Sequence, residues 1–593
     1  MPNRQTASQF GMGVAVFECW RMRMMKAEFA SCIWLALSLA GVDSAVAQPA
    51  TQPAGPNCEI WVEDSLVLVP EDRSMPQGAP QEIELDVARG EYEAAQIVVR
   101  PQATAIAWMR VECGELEKEG GAAKLPAPRV RFVDSVPLRV NIGGTPEGRP
   151  VVKAPAWIPD PLYDVPNVDV WQNKARPIWL TFKIPSDAEP GIYTGQVRVF
   201  ANEAVLSVPM NVRVYKAAVP AKGTLKVTSW LRIDNIASWG GCELFDGRFW
   251  GLVRAYAENM AAHRHNVIFT PVSEFYTPAK LVTISAQDGR LRFDFSNFDR
   301  WVEIFKEAGA IGYVEGGHIG AKGNVHCWVL RNGQIVHEMH PIDSPQAEEY
   351  LAQFFRSLQA HLDQKGWTDI YYQHLMDEPR EGWTGKYNAA LRLARRYVPR
   401  IKIIEATLTT GIEQPDIVVP VYRQFEANRD LYRKLQESGR EVWFYTTVMG
   451  RELGDHLLKA RYVHWLNFKY NTAGYLHWGY NWWETLTPFT QTQVVHSPRG
   501  PFPPGSHAAV YPAPNGLIDS IRWETARDGI EDYELLKALE AKDPKKARAM
   551  CDSLVRAFAD WDLDVGHFRA ARRELLAAIQ GGVTDLKPIP GGP

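Results

Sequence analysis

Two adjacent carboxylates at the end of an apolar segment are the residues of this chain best placed to do chemistry. The segment DIYYQHLMDEP spans residues 369–379, and Asp377 and Glu378 follow its last apolar residues. Two carboxylates are costly to bury unless they are paired or used in a reaction. Pro379 disfavours an α-helical backbone at Glu378. The pair therefore indicates general acid–base chemistry, with a turn cap at Asp377 and an ion pair between Glu378 and Arg380 as the structural alternative.

Neighbouring acids fit one type of glycoside hydrolysis better than the others. Retaining glycosidases need two carboxyl groups about 5–5.5 Å apart and inverting ones about 6.5–9.5 Å apart, on opposite sides of the scissile bond. Side chains of consecutive residues point in different directions, and no acid follows Tyr445 before Glu452 on the seventh strand candidate. Substrate-assisted hydrolysis needs only one acid and one orienting neighbour, because the sugar's own 2-acetamido oxygen is the nucleophile. In that mechanism Glu378 is the general acid and then the base, and Asp377 orients the acetamido group.

The elements that position this pair fall into two regions of different pattern. From Cys58 to Tyr215, short strand candidates separated by Pro and Gly predict an antiparallel β-sandwich. From Thr224 onward, eight strand candidates alternate with helices, which predicts a TIM-like (β/α)₈ barrel whose active site lies at the C-terminal strand ends. The HLMDEP sequence ends the fourth of these strands. The predicted organisation is a signal peptide (1–47), a linker (48–56), the sandwich (57–216), the barrel (223–545) and a C-terminal helical tail (546–593).

Polar and aromatic residues at other strand ends are candidates for substrate binding. Aromatic rings stack on the apolar faces of sugars, so we expect one or two of the rings that end strand eight to form the floor of a sugar subsite, with packing inside the barrel as the alternative. A tyrosine at the end of strand seven suits a hydrogen bond to the acetamide carbonyl, and core packing explains it equally well. The complete set of candidates is His318, His374, Tyr445, Trp478, Tyr480 and Trp482.

Composition and the missing motifs exclude several classes of function. The chain has 65 Lys and Arg against 69 Asp and Glu, a net charge of −4, which is unlike the basic surface of a nucleic-acid-binding protein. It has no H-E-x-x-H, Gly-rich phosphate loop or G-x-S-x-G sequence, so we expect chemistry without a metal or cofactor. The 21 Trp residues suit a large layered core or a sugar-stacking surface.

The N-terminal residues predict export. Arg21, Arg23 and Lys26 precede an apolar run from Phe29 to Ala40, and the small residues that end at Ala47 form a cleavage site. The run is about twelve residues long, whereas a helix needs roughly 20 to span a bilayer. We therefore expect a secreted or periplasmic protein without a membrane anchor, cleaved near Ala47.

Three segments together resemble a known family. HLMDEP, the aromatic strand end HWGYNWW (477–483) and the late segment YPAPNGLIDSIRWETARDGIEDYELL (511–536) resemble glycoside hydrolase family 123, the exo-acting β-N-acetylgalactosaminidases, and its wider relatives. The resemblance covers most of the chain after the predicted leader. It implies that Asp377 and Glu378 match the family's acetamide-orienting Asp and acid/base Glu. The expected activity is removal of terminal β-linked GalNAc, in preference to GlcNAc, by substrate-assisted retention.

Two other interpretations stay open at this stage. The first is a glycosidase in the same fold that acts on sugars without an acetamido group and uses a separate nucleophile such as Glu484. The second is a secreted protein that binds glycans without catalysis. Charged residues near the start of a late helix, from Arg522 to Asp532, are interpreted as structural, since acids in a first turn and i,i+4 pairs stabilise helices. Arg522 is the first candidate for an exception.

Overall fold

A computed structural model describes residues 58–141, 151–274, 280–288, 290–447, 449–483, 488–493, 495–496 and 500–581. The predicted signal peptide and linker lie outside these residues, and so does Glu484. The described chain forms a two-sheet β domain, then a barrel of eight parallel strands, then C-terminal helices. This confirms the fold class expected from the sequence. No helix among the described residues is long and apolar enough to cross a membrane.

The N-terminal domain is a sandwich of two sheets. The apolar face of each strand packs between the sheets, as in Gly191–Ala201, where Val197 and Val199 are buried and Arg198 is exposed. All pairs are antiparallel except Ile83–Arg89 with Ala204–Ala218, which is parallel. The first sheet has the order Cys58–Asp64, Tyr92–Pro101, Arg176–Lys183, Arg129–Leu138, Ala156–Tyr163. The second has Ile83–Arg89, Ala204–Ala218, Gly191–Ala201, Ile106–Cys113, Val168–Val170, with Leu116–Lys118 and Lys124–Leu125 beside it.

Eight parallel strands form the barrel in the order of the chain. Barrel strands 1 to 8 are Lys226–Ser229, Val267–Thr270, Tyr313–Gly316, Tyr371–Gln373, Lys402–Thr407, Ile417–Pro420, Glu441–Thr446 and Gly474–His477. Ladders join all neighbours except strands 1 and 2. Asn266 spans that gap, because its Oδ1 accepts from the Val227 N–H at 2.9 Å and its Nδ2 donates to the Leu225 carbonyl at 2.9 Å. The barrel is therefore nearly closed.

Helices alternate with these strands and cover the barrel. Helix Pro345–Lys365 shows why they form where they do: the Ser344 side chain caps the N–H of Ala347, Pro345 occupies the first turn, and Gly366 ends the helix at a φ of +70°. The barrel helices are Ile233–Gly240, Gly247–Ala262, Ser296–Glu307, Pro345–Lys365, Thr384–Tyr397, Tyr422–Ala427, Arg429–Glu437 and Leu458–Lys469. The late helices are Ile521–Glu540, Pro544–Leu554 and Val565–Gln580, and the short 3₁₀ turns are Thr368–Ile370 and Glu381–Trp383.

Hairpins lengthen the loops that follow barrel strands 2 and 3. They are Thr283–Gln287 with Arg290–Asp294, and Asn324–Arg331 with Gln334–Pro341 and Gly320–Ala321. Shorter pairs later in the chain are Val495–His496 with Gly500–Pro501, Val510–Ala513 with Gly516–Asp519, and Val555–Ala557 with Asp560–Trp561. The sequence LKVTSWLRI (225–233) predicts one strand, but barrel strand 1 ends at Ser229 and Ile233 begins a helix. Apolar runs this short do not separate a strand from a buried helix.

Buried ion pairs join the sandwich to the barrel through helix Ile521–Glu540. Arg522 binds both carboxylate oxygens of Asp160, at 3.0 and 2.8 Å. Arg131 of the sandwich binds Asp519 and Glu524 at 2.7 Å each. These contacts confirm the structural interpretation of the charged residues around this helix, and they include Arg522.

Replacing Arg522 by Met is expected to destabilise the protein by about 3–5 kcal/mol, because Asp160 would remain buried without its cation. The Asp160 side chain is 1% exposed and that of Arg522 is 4% exposed. Urea unfolding measures the change. Arg429→Met is the matched control, since its partner Glu426 forms an exposed pair worth at most about 1 kcal/mol. Equal unfolding midpoints for the two variants would contradict the assignment.

Candidate active site

Asp377 and Glu378 lie in the loop that follows barrel strand 4, at the C-terminal end of the barrel. Both side chains are half-buried, and that of Asp377 is 25% exposed. Glu378 has a φ of +46°, a left-handed conformation that residues with side chains rarely adopt. Such a conformation costs on the order of 1–3 kcal/mol and persists only where the surroundings impose it. The loop therefore presents the acid pair in a strained, fixed geometry, which is common at active sites.

Tyr445 from barrel strand 7 reaches the same place. Its hydroxyl donates to Glu378 Oε1 at 2.7 Å, and its side chain is 3% exposed. Two elements far apart in the sequence are thus brought together at one carboxyl group. The hydrogen bond fixes the orientation of Glu378 from the side opposite its own backbone.

His318, which follows barrel strand 3, lies behind Asp377. Its Nε2 is 3.9 Å from Asp377 Oδ1, and its Nδ1 is 3.6 Å from Glu274 Oε2. The His318 side chain has no exposed surface. The sequence predicts that His318 binds substrate, but a direct contact with a sugar hydroxyl is not compatible with this buried position. The structure instead brings His318 to the acid pair.

His374, on the strand 4 side of the pair, is held between two buried carboxylates. Its Nε2 is 2.8 Å from Glu315 Oε1, and its Nδ1 is 3.2 Å from Glu405 Oε1. None of the three side chains is exposed. The predicted contact between His374 and substrate is therefore not compatible with the structure, since both ring nitrogens are already bound. Burial lowers the pKa of the imidazole, but the two carboxylates outweigh it and raise the pKa of His374 to about 9.

The two carboxylates have further partners. Glu405 Oε2 accepts from the backbone N–H groups of Leu375 and Met376, at 3.0 Å each. Glu315 Oε1 also accepts from Trp230 Nε1 at 2.9 Å. Neither acid was singled out in the sequence. The available signal was a single Glu inside an otherwise apolar strand, in YVEG and in KIIEAT.

Ligand atoms of His318, His374 and Glu405 lie within 4.8 Å of one another, a spacing that a metal ion could bridge. A metal-bound histidine must offer a lone pair. His374 faces a carboxylate oxygen from each ring nitrogen, and its pKa of about 9 keeps both nitrogens protonated as donors. The group therefore fits a charged hydrogen-bond network better than a metal site.

The aromatic residues after barrel strand 8 divide into two groups. Trp478 and Trp482 are half-buried, with ring centroids 5.6 Å apart and an interplanar angle of 70°. Tyr480 has no exposed surface, donates to Asn259 Oδ1 at 2.9 Å and packs against Trp523. The substrate-binding prediction for Tyr480 is thus not compatible with its core position. The strand ends at His477, so strand alternation does not decide which later rings face the mouth.

A barrel with paired carboxylates at a strand end is an architecture of glycoside hydrolases. The family model described as the catalytic domain of glycoside hydrolase 123 matches residues 230–539, and the model of the N-terminal domain of glycoside hydrolase 123 matches residues 71–201. The chain belongs to glycoside hydrolase family 123. It is a hydrolase enzyme with the two domains of that family.

Solved structures support the fold. A family 123 glycoside hydrolase from Clostridium perfringens, studied for glycolipid glycan hydrolysis, is 16% identical with a TM-score of 0.71, over 88% of this chain and 97% of that chain. A GH2 β-galacturonidase from Eisenbergiella tayi is 10% identical over 81% of this chain and 73% of that chain, with a TM-score of 0.29, too low to carry an argument. No curated protein sequence matches the chain.

The raised pKa of His374 predicts a pH-dependent contribution to stability. The pKa is about 9 in the folded protein against 6.5 for a free imidazole, so folding favours the protonated form. The contribution, on the order of 3 kcal/mol, is complete below about pH 6.5 and is lost as the pH rises through about 9. Urea unfolding of the wild type and of His374→Asn at several pH values measures it. The difference in free energy of unfolding between the wild type and His374→Asn should become smaller as the pH rises. A difference independent of pH would contradict the assignment.

Proposed function

We propose that this enzyme is an exo-acting glycosidase that removes terminal β-linked 2-acetamido sugars, GalNAc preferred, by substrate-assisted retention. The observation that carries the proposal is the adjacent pair Asp377 and Glu378 at the end of barrel strand 4. At the end of strand 7, Tyr445 contacts Glu378 where many barrel glycosidases would carry a nucleophilic acid. The acetamido group of the substrate supplies the nucleophile instead.

In this mechanism Glu378 protonates the glycosidic oxygen while the acetamido oxygen attacks the anomeric carbon. The bond to the leaving group breaks, and an oxazolinium-like intermediate forms. Asp377 accepts a hydrogen bond from the acetamide N–H and balances the positive charge that develops there. Glu378, now a carboxylate, takes a proton from the water molecule that attacks the anomeric carbon and opens the oxazolinium ring. Two inversions at the anomeric carbon give net retention.

The residues around the pair have supporting roles in this proposal. Tyr445 holds Glu378 through its hydroxyl group. We expect the same hydroxyl to hydrogen-bond the acetamide carbonyl once a sugar is bound. The half-buried rings of Trp478 and Trp482 supply the apolar floor for the sugar. His318 lies beside Asp377 and helps to orient its carboxyl group, without contacting the substrate.

The natural substrate follows from this chemistry. A pair of this kind requires a terminal sugar with a 2-acetamido group, and the relative from Clostridium perfringens was studied on glycolipid glycans. We infer that glycans ending in β-GalNAc, glycolipid glycans among them, are the substrates. The predicted leader would place the enzyme outside the cytoplasm, where such glycans occur.

Release of nitrophenol from aryl β-GalNAc, aryl β-GlcNAc and aryl β-galactoside tests the proposal. Turnover of the acetamido substrates alone is expected. Equal turnover of the galactoside would contradict substrate assistance and would indicate a separate nucleophile such as Glu484. If none of the three substrates is turned over, binding to a glycan array should be measured for the wild type and for a variant that lacks both acids. Binding that survives the loss of both acids would support the glycan-binding alternative.

A further inference from the structure

We propose that Glu405, oriented by a positively charged His374, is a positioning residue that holds the end of barrel strand 4 and thereby aims the two catalytic acids. The inference rests on the proposed roles of Asp377 and Glu378. It concerns residues that do not touch the substrate. Glu315 supports the arrangement from the opposite side of the imidazole.

The hydrogen-bond geometry and the raised pKa of His374 together give it a positive charge. A neutral imidazole has one N–H donor and one lone pair, whereas an imidazolium has two donors. Carboxylate oxygens lie 2.8 Å from Nε2 and 3.2 Å from Nδ1. A lone pair facing either carboxylate would be repulsive, and the pKa of about 9 keeps a proton on both ring nitrogens. His374 is therefore the cation that pairs with the buried Glu405 side chain.

Glu405 transmits this arrangement to the backbone. One of its oxygens accepts from His374, and the other accepts from the N–H groups of Leu375 and Met376, at 3.0 Å each. Met376 is followed directly by Asp377 and Glu378. These bonds fix the peptide planes on the N-terminal side of the acid pair. On the C-terminal side, the Pro379 carbonyl accepts from the Leu408 N–H at 3.2 Å. Strand 5 and the loop after it therefore hold both ends of the segment that carries the acid pair.

The left-handed Glu378 is what this arrangement has to maintain. A strained backbone persists only when its surroundings over-determine it. Buried ion pairs are weak contributors to stability, because apolar residues of similar volume often do as well or better. A fully buried Glu–His–Glu group beneath the acid pair is therefore better explained by the geometry it imposes. A misplacement of about 1 Å costs on the order of 10²-fold in rate.

Two variants that keep the side-chain size separate this role from a general loss of charge. In Glu405→Met, the side chain has a similar volume but offers no oxygen to the Leu375 and Met376 N–H groups, whereas Gln could keep its amide oxygen on them and donate to a neutral His374. In the matched control Glu315→Gln, the amide oxygen keeps Trp230 and His374, and the NH₂ meets the Thr228 hydroxyl, which can accept. Each variant removes one negatively charged carboxylate next to His374. Only the first disrupts the bonds to the backbone.

The rates are measured on methylumbelliferyl β-GalNAc and on dinitrophenyl β-GalNAc, whose leaving group departs without a proton. For Glu405→Met we expect kcat on methylumbelliferyl β-GalNAc to fall about 10–100-fold. The loss on dinitrophenyl β-GalNAc should be about fivefold smaller, and KM should change little. Glu315→Gln should stay within about threefold of wild type on both. A loss of folded enzyme would lower both rates equally, so the ratio of the two substrates reports positioning.

Equal losses on both substrates, or wild-type rates for Glu405→Met, would overturn the inference. If Glu405→Met does not fold, Glu405→Asp keeps the charge but withdraws both oxygens by one methylene, and the same leaving-group-dependent loss is expected. The proposed function fails separately. In that case Glu378→Gln would retain activity on methylumbelliferyl β-GalNAc, whatever the Glu405 variants do.

Discussion

Glu378→Gln is expected to lower kcat/KM on methylumbelliferyl β-GalNAc by roughly 10²–10⁴-fold, the usual contribution of a general acid. Gln has the size of Glu and can still accept the hydrogen bond from Tyr445, which is 2.7 Å long in the wild type. The backbone of the loop should therefore be preserved while the proton is lost. Initial rates on this substrate and on dinitrophenyl β-GalNAc measure the effect. The second rate should fall much less, because its leaving group needs no protonation.

Glu381→Gln is the control for this variant, because Glu381 is an exposed acid three residues further along the same loop. Its rates should match those of the wild type. A Glu378→Gln enzyme that retained full activity on the methylumbelliferyl substrate would show that another group is the acid. Equal losses on both substrates would point to a role other than proton transfer.

Asp377→Asn is expected to lower kcat on both aryl β-GalNAc substrates by about 10²–10³-fold. The charge of Asp377 would stabilise the cationic intermediate, and removing one such electrostatic contact has effects of this size. The side-chain oxygen of Asn can still accept a hydrogen bond from the acetamide N–H, so KM should change little. Unlike Glu378→Gln, this variant should lose activity independently of the leaving group. Steady-state kinetics on the two substrates give the comparison.

Asp369→Asn is the matched control, since Asp369 is exposed at the start of strand 4 and lies at the opposite end of the barrel from the acid pair. It should behave as wild type. An Asp377→Asn enzyme whose loss disappeared on dinitrophenyl β-GalNAc would mean that Asp377 assists the leaving group. The assigned roles of the two acids would then have to be exchanged.

The location of the acid pair could be predicted from sequence because its signals are local. An apolar strand that ends in two carboxylates and a proline is unusual, and eight apolar runs with intervening helices are enough to indicate a barrel. The rule that barrel sites lie at C-terminal strand ends then selects Asp377, Glu378 and Tyr445 as candidates. The structure brings Glu378 and Tyr445 into contact. Their roles in the reaction remain predictions.

The residues beneath the pair were missed because their importance depends on neighbouring strands. Glu315 and Glu405 are each a single acid in an apolar run, and only the order of strands 3, 4 and 5 places both beside His374. His374 itself was assigned to the substrate because sequence does not show which side of a strand faces the barrel interior. The pairing of strands 3, 4 and 5 was available in principle, since a barrel in chain order makes them adjacent.

Tyr480 illustrates a different limit. Trp478, Tyr480 and Trp482 were candidates because they follow strand 8, where one or two rings were expected to form the floor of a sugar subsite. Barrel strand 8 ends at His477, and the Trp482 N–H donates to the His507 carbonyl in an irregular segment. Tyr480 consequently packs against Trp523 of the late helix. Where a strand ends depends on tertiary contacts, which the sequence pattern does not contain.

The most direct test of substrate assistance is the rate of the wild-type enzyme on aryl β-GalNAc substrates whose N-acetyl group carries none, one, two or three fluorine atoms. Fluorine withdraws electrons from the acetamido oxygen and weakens it as a nucleophile, while the leaving group stays the same. Participation of that oxygen predicts a steep, progressive fall in kcat across the series. A rate independent of fluorination would contradict the account, because the nucleophile would then belong to the enzyme.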